Sequence, residues 1–397
     1  MKILIADDDI IARKMLQRTL ENWGYDVTTA ENGVKAFEAF QQDRYLMVIT
    51  DWMMPEMTGL ELVKKIRSLP TPDYIYIIML TAKSEREDLI VGMDAGADDF
   101  IAKPFDKDEL RVRLRAGGRV IQLEEDLSRK NHELAEINYR MKRDLEAAAD
   151  IQNSLLPTEP EGLDGIDVKW RFLPCDELAG DTLNVFNLDD DHLGFYVLDV
   201  SGHGVSAALL AMTLSRILSP VLSESSLLRY RNGSQNSYFV NSPSFVANQL
   251  NQQFQIDLEY GQYFTLLYGI LNKKTNKLRY ISAGHPGMIF TSKQSGAEVI
   301  KAPDLPIGFS EEHVYEEKSL QLSPGDRIHL YSDGIPEAEN SENEYYSTAR
   351  MVDILKRNAN LPLEKSLDML LESVISWSNP SKLKDDVTLL GIEITDH

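Results

Sequence analysis

Residues 45–62 read YLMVITDWMMPEMTGLEL. Met47–Thr50 forms a strand with no face left for water, and it runs directly into a carboxylate, Asp51. Pro55 and Gly59 turn the chain, and Leu60–Ser68 then takes up the spacing of an amphipathic helix. A short strand apolar on both sides belongs in a parallel sheet covered by helices. Ile3–Ala6, Tyr76–Leu80 and the shorter Phe100–Ala102 have the same character, and helical segments such as Ala12–Trp23 and Lys35–Gln42 lie between them. The first 120 residues therefore predict an α/β doubly wound parallel sheet. Such sheets hold their ligands beyond the carboxyl ends of the strands.

The reactive side chains fall at those ends. Asp7 and Asp8 follow the first strand, Asp51 another, Thr81 the third, and Lys103 precedes Pro104 after the fourth. Three carboxylates gathered at one edge repel each other unless a hard divalent cation lies between them. A carboxylate nucleophile, a metal, a hydroxyl and an ammonium are the parts that phosphoryl transfer to aspartate requires. This set, with Asp51 inside DWMMPEMTGLEL, resembles the receiver domains of bacterial two-component response regulators, whose fold is flavodoxin-like. The resemblance implies that Asp51 is phosphorylated by a histidine kinase or phosphotransfer protein. It also implies that Asp7, Asp8, Asp51 and the carbonyl of Met53 hold Mg2+. Thr81, Phe100 and Lys103 would then respond to the phosphoryl group, with Phe100 as the switch aromatic.

Length and composition bound the remainder. The chain has 397 residues, room for two or three domains, and 43% of them are hydrophobic, as in ordinary globular proteins. Its net charge is −22, of which residues 1–120 carry −4 and the rest −18. A field of that sign repels nucleic acid and anionic membranes, so neither is expected as a partner. No run reaches the ~18 apolar residues of a membrane span, and MKILIADDDI does not read as a signal peptide. The single cysteine, Cys175, excludes intrachain disulfides, fits a reducing cytoplasm, and reads as a small filler side chain.

From Leu110 to Leu156 there is no proline. Val120, Leu123, Leu127, Lys130, Leu134, Ile137 and Met141 alternate by three and four, an a/d seam with one polar interruption. A stutter follows at Leu145. The segment 121–156 is expected to be a helical coiled-coil linker that makes the protein a homodimer. A single amphipathic helix lying on a domain is the simpler alternative. Beyond Pro157 the pattern turns to strands at Val168–Phe172, Leu193–Val200, Tyr263–Leu271, Lys277–Ala283, Met288–Thr291, Arg327–Tyr331 and Val387–Ile394. Helical patterns at Ser206–Leu222, Pro243–Leu258 and Pro362–Trp377 separate them, which predicts an α+β β-sandwich flanked by helices over 157–397. The polar stretch Ser223–Asn241 reads as a mobile loop.

Acid-bearing loops recur in this part: Leu178–Asp181, Asp199–Gly204, Ser332–Gly334 and Asp385–Asp386, three of them against strand ends. Carboxylates beside glycines at strand ends can gather two hard cations, which activate water and need no protein nucleophile. A cysteine phosphatase would need an arginine six residues after its nucleophile, and Asp181 stands six after Cys175. No GxxxxGK[ST] phosphate loop is present.

DVSGHGVSAALLAM (199–212), YISAGHPGMIF (280–290), LPIGF (305–309), LYSDGIPEAEN (330–340) and DDVTLLGIEI (385–394) occur in this order. Together they resemble metal-dependent serine/threonine phosphatases of the PPM type, in the bacterial branch of sporulation and stress partner switching. ADIQNSLLPTEP (149–160) resembles the helix that leads into such domains. The resemblance implies two Mn2+ or Mg2+ ions bridged by Asp199, with the Val200 carbonyl as a further ligand. Asp333 and Asp385 would hold the second ion, Asp181 would support the first through water, and Asp386 would be an outer-sphere partner. Two positions depart from the branch: Ala179 stands where it has glycine and Asn184 where it has a second aspartate. Asn184 is expected to remove one negative charge near the metals. His203 reads as a backbone-shaping or water-binding residue rather than a general acid, and His285 as structural.

The expected function is a response regulator whose output dephosphorylates a phosphoserine on an anti-sigma-factor antagonist-type protein. The rival is a non-catalytic phosphatase-like adaptor. Such an adaptor should lack several of Asp181, Asp199, Asp333 and Asp385, and all four are present.

Overall fold

The computed structural model describes all residues other than 83–85, 159, 203, 222–225, 232–237, 256–260, 293–295, 302, 379–382 and 396–397. His203 and part of the 223–241 stretch thus lie outside the described residues. The chain divides into two compact units, Met1–Arg140 and Met141–His397.

In the first unit strands and helices alternate: β1 (Lys2–Ala6), α1 (Ile10–Asn22), β2 (Asp26–Ala30), α2 (Gly33–Gln42), β3 (Met47–Asp51), α3 (Gly59–Ser68), β4 (Tyr76–Thr81), α4 (Arg86–Asp94), β5 (Asp99–Ala102) and the greater part of α5 (Lys107–Asn153), whose residues from Met141 on belong to the second unit. The strands form one parallel sheet in the order β2-β1-β3-β4-β5. Period-two alternation splits each strand between two cores. Leu4, Val48, Ile77 and Met79 pack on one face, and Ile3, Ile5, Ile49, Ile78 and Leu80 on the other. Asp9 caps α1 by accepting the Ile11 N–H, so of three consecutive aspartates only Asp7 and Asp8 face the chemistry. Thr58 and Glu61 close a capping box on α3, which fixes the chain just after Asp51. Helix α5 starts inside this unit at Lys107, so the expected linker boundary at 121 falls in mid-helix.

The second unit contains β6 (Ile166–Leu173), β7 (Thr182–Asn187), β8 (His192–Val200), α6 (Val205–Ile217), β9 (Arg229–Arg231), β10 (Tyr238–Val240), α7 (Pro243–Gln253) and β11 (Phe264–Asn272). It continues through β12 (Lys277–Ala283), β13 (Met288–Ser292), β14 (Gly296–Ile300), β15 (Lys318–Gln321), β16 (Arg327–Tyr331), α8 (Thr348–Arg357), α9 (Leu363–Trp377) and β17 (Val387–Ile394). Two five-stranded antiparallel sheets, β15-β12-β11-β8-β7 and β14-β13-β16-β17-β6, face each other. Leu193, Phe195 and Val197 of β8 meet Ile328, Leu330, Leu390 and Ile392 of the opposite sheet. The alternate residues Tyr196, Leu198 and Val200 pack under α6 and α7, while Tyr331, Val387 and Leu389 pack under α8 and α9. The result is a four-layer α-β-β-α sandwich. One expectation needs correction: the described part of Ser223–Asn241 is not only loop, because β9 and β10 pair there as a short antiparallel ribbon.

Candidate functional site

At the carboxyl edge of the parallel sheet, oxygens of Asp7, Asp8 and Asp51 lie within 4.8 Å of one another. Lys103 donates from Nζ to Asp7 Oδ2 and to Asp51 Oδ2, at 2.8 Å each. Burial raises the Asp51 carboxyl above the usual carboxylate range, while its bond to Lys103 opposes that rise. Burial alone would lower Lys103, but its bonds to Asp51 and Asp7 outweigh this and hold it above the ordinary lysine value. A fixed ammonium thus touches the buried Asp7 and the half-buried Asp51, while Asp8 is exposed.

Thr81 is buried at the end of β4, and its carbonyl accepts the Lys103 N–H at 2.8 Å. Phe100 is half-buried with its ring 6.4 Å from that of Trp52. The Met53 side chain is exposed. Sequence reasoning passed over Arg13, whose Nη1 donates to the carbonyls of Asp7 (2.5 Å) and Asp8 (3.3 Å).

In the sandwich, antiparallel neighbours bring the start of one strand beside the end of the next. Asp181 precedes β7 and Asp199 ends β8 in one sheet; Asp333 follows β16 and Asp385-Asp386 precede β17 in the other. Asp199 continues the inward series of Leu193, Phe195 and Val197, so it belongs to the space between the sheets at this end. Close backbone approach is required twice. A Cβ on Gly334 would stand 2.0 Å from the Asp386 carbonyl oxygen, and one on Gly180 2.9 Å from that of Val200.

Asp386 is buried and accepts three backbone N–H groups, from Cys175 (2.8 Å), Gly180 (2.7 Å) and Asp181 (3.3 Å). Its two oxygens thereby tie the connection between β6 and β7 to the loop that precedes β17. Asp181 is buried, and its Oδ2 accepts the Thr388 hydroxyl at 2.5 Å. Burial, then Asp199 and Asp386, push the Asp181 carboxyl well above its ordinary value. Asp199 is raised by burial and then by Asp333, Asp385, Asp386 and Glu337. Asp333 is pushed up to about 6 by burial, Asp385 and Glu337. Among the described residues, no lysine or arginine pairs with Asp181, Asp199 or Asp333.

Buried like charges with no cation beside them are unstable as they stand. The donors, carboxylate oxygens and a Val200 carbonyl turned toward Gly180, are those that hard divalent ions prefer. The residues present therefore fit such ions. The same holds at Asp7, Asp8 and Asp51, where three carboxylates face one ammonium.

Other expected residues fall at different distances from this chemistry. Asn184 stands on β7 opposite Tyr196 and accepts the Val185 N–H. Ala179 is fully buried. His285 is buried, and burial lowers it to about 3, so it is a neutral imidazole. Three residues of the neighbourhood went unassigned. Thr388 was findable, since it alternates inward with Leu390 and Ile392. Glu337 carries a charge four residues after Asp333 in LYSDGIPEAEN. Cys175, read as filler, has its sulfur within 4.8 Å of carboxylate oxygens of Asp385 and Asp386. Burial and those acids push its thiol up to about 12, so it stays protonated.

Comparison with known proteins bears on both domains. A receiver-domain model of response regulators matches residues 3–115. A model described as Stage II sporulation protein E (SpoIIE) matches residues 189–395, just over half of the chain. Response regulator MprA of Mycobacterium ulcerans (strain Agy99) is 42% identical over 126 residues, 32% of this chain and 53% of that protein. The chain thus spans about half the length of the curated relatives it matches.

Among solved structures, the SiaA-PP2C domain of Pseudomonas aeruginosa superposes with a TM-score of 0.52 at 19% identity, over 65% of this chain and 99% of that one. This likeness concerns the fold. The PP2C phosphatase domain of SpoIIE from Bacillus subtilis, solved with a fragment of its regulatory domain, gives 0.46 at 19% identity, over 58% and 63% of the two chains. The chain belongs to the SpoIIE family, with a domain of PP2C-like fold carried behind an N-terminal response-regulator receiver domain.

Proposed function

We propose that this protein is a phosphorylation-controlled, metal-dependent protein serine/threonine phosphatase. One observation carries the reading: Asp181, Asp199, Asp333 and Asp385 come from strand ends and loops of both sheets to one end of the sandwich, and the buried Asp181 and half-buried Asp199 and Asp333 pair with no lysine or arginine among the described residues. Asp199 and the Val200 carbonyl would hold a pair of Mn2+ or Mg2+ ions together with Asp333 and Asp385. Asp181 would support the first ion through water, and Asp386 would act from the outer sphere by fixing the loops. Bound there, the ions acidify a water and neutralise phosphoryl oxygens. The chain's own part is to hold these oxygens in place, exclude bulk water from Asp181, and keep Cys175 as an unreactive thiol.

The receiver, about residues 1–120, takes its phosphoryl group on Asp51 from a histidine kinase or phosphotransfer protein. Mg2+ would sit on Asp7, Asp8, Asp51 and the Met53 carbonyl, while Lys103 and Thr81 meet the phosphoryl oxygens and Phe100 follows. Residues 121–156 couple this input to the phosphatase domain at 157–397. A phosphoserine on an anti-sigma-factor antagonist-type protein is the substrate class in keeping with the family. The cytoplasm is the compartment in keeping with such partners; no helix among the described residues is long and apolar enough to cross a membrane.

Purified protein should hydrolyse such a phosphoprotein only with Mn2+ or Mg2+, at a rate altered by beryllofluoride on the receiver. Absence of hydrolysis with either metal, in both receiver states, would leave the adaptor reading in its place.

The linker supports a homodimer. Leu123, Leu127, Leu134, Ile137 and Met141 are each more than half exposed along α5. Pairing with a second copy removes that seam from water, at some loss of stability where Lys130 interrupts it. Charged substitutions at Leu127 and Leu134 together should turn a dimer into a monomer by light scattering at micromolar concentration. An unmodified chain that is already monomeric in both receiver states would exclude this pairing.

A further inference from the structure

The motif LPIGF (305–309) has no role in the chemistry described so far. Its last residue, Phe309, is 56% exposed, which on a loose loop would need no explanation. This loop is not loose. Asn251 of α7, 1% exposed, accepts the Gly308 N–H at 2.8 Å and donates to the carbonyls of Ser310 (2.8 Å) and His313 (3.4 Å). One buried amide therefore pins the backbone on both sides of Phe309. The Pro306 carbonyl accepts the Tyr315 hydroxyl at 2.9 Å, and the Ile307 N–H donates to the Phe264 carbonyl at 3.0 Å. Ile307 and Tyr315 are buried in the core under α6 and α7, while the ring of Phe309 is held out toward water.

The place of this loop decides what the ring faces. Ile307 bridges Phe264, and Phe264 pairs with Val200, so three backbone segments lie side by side at the metal end of the sheet. One residue further, Tyr263 and Ser201 exchange two bonds. The Ser201 N–H donates to the Tyr263 carbonyl at 2.9 Å, and the Tyr263 N–H to Ser201 Oγ at 3.0 Å. The Tyr263 and Phe309 rings meet edge to face, their centroids 6.1 Å apart. Tyr263 continues the alternation of Thr265, which stands opposite Asp199. Two strand spacings, roughly 10 Å, separate the loop of Phe309 from the turn after Asp199, and an extended peptide covers that in about three residues.

We infer that Phe309 and Tyr263 form a substrate-contacting wall, which selects an apolar side chain two or three residues from the phosphoserine. The inference rests on the metal-centre reading above and deepens it. A phosphoryl group is common to every phosphoserine, so choice among substrates has to come from contacts beside it. Aromatic rings held in place before binding suit that role, because little freedom is lost when they are covered.

The test uses two labelled peptides that carry a non-hydrolysable phosphonate analogue of phosphoserine. One has leucine at the second and third positions on either side, the other serine. Binding to the full-length chain in Mn2+ is read by fluorescence anisotropy, a measurement independent of turnover. Wild type should favour the leucine peptide by about tenfold in Kd, the lower end of what one apolar contact contributes. Phe309→Ala should reduce that ratio to about twofold or less, and Phe309→Leu should restore most of it. The melting temperature of both variants should stay close to wild type, since the side chain is exposed.

Equal binding of the two peptides by wild type, or a full preference kept by Phe309→Ala, overturns the inference. A change of mass in light scattering on Phe309→Ala, with the preference intact, would instead make this face a contact between copies of the chain. Hydrolysis of p-nitrophenyl phosphate in Mn2+ checks the metal centre separately. If that activity is present and neither peptide binds, the wall is overturned while the metal centre stands. If it is absent with Mn2+ and with Mg2+, the metal-centre reading falls and this inference with it.

Discussion

Asp199→Asn removes phosphoester hydrolysis by roughly 10³-fold or more while the protein gains thermal stability in the absence of metal. The two effects have one cause. Asp199 is an inward-facing residue at the end of β8, surrounded by Asp333, Asp385, Asp386 and Glu337, and burial with these neighbours raises its carboxyl. A carboxyl whose folded-state pKa lies above its unfolded value binds its proton more tightly when folded. Above the unfolded value, near 4, it therefore lowers stability, and more so as the pH rises through the folded value.

Asparagine has the same shape and no charge, so that penalty disappears. With it goes the charge that holds a divalent ion, and with the ion the activated water. Asp333→Asn should behave alike in hydrolysis. Melting curves in chelator and initial rates in Mn2+ are the measurements, and wild-type-like turnover in both variants would sink the assignment of these residues.

How far the sequence could be read depended on where apolar residues lie. The central strands β1, β3, β4, β8, β11 and β16 are buried along nearly their whole length, and their runs stand out without ambiguity. Strand β2, DVTTA, lies at a sheet edge and buries only Ala30, so no apolar run marks it. Strands β14 (GAEVI) and β15 (KSLQ) are also edges, and neither has a fully buried residue. Strand β7 (TLNVFN) is a further edge; polar residues break its run although Leu183 and Val185 reach the inter-sheet core.

The reactive residues were legible for a different reason. A strand that ends in Asp, or a loop carrying Gly beside Asp, has few purposes other than bringing oxygen close to a ligand. What stayed hidden was the support. The bonds from Gln152 to Ala179, from Thr388 to Asp181 and from Cys175, Gly180 and Asp181 to Asp386 join residues 27 to 211 positions apart. No local spacing encodes such pairs; they exist only once distant strands, loops and the end of α5 have packed together.

Separation of the two chemistries gives the other large effect. Asp51→Asn should abolish phosphoryl uptake from acetyl phosphate, since an amide nitrogen or oxygen is no substitute for a carboxylate nucleophile. The rest of the pocket should survive. Lys103 keeps its 2.8 Å bond to Asp7, and β3 keeps its neighbours β1 and β4. Hydrolysis should then persist at the rate of the unphosphorylated protein, because the carboxylates of the second unit belong to a different core from Asp51. The reciprocal holds: Asp199→Asn protein should still take up phosphoryl groups at the wild-type rate while its hydrolysis is gone. Radiolabel incorporation and initial-rate assays on the same two variants decide the matter. Label retained in Asp51→Asn would show that another residue is the acceptor. A large fall in unstimulated hydrolysis in that variant would mean that the receiver sustains the phosphatase even before phosphorylation, in which case the linker carries a standing constraint rather than a signal that arrives with the phosphoryl group.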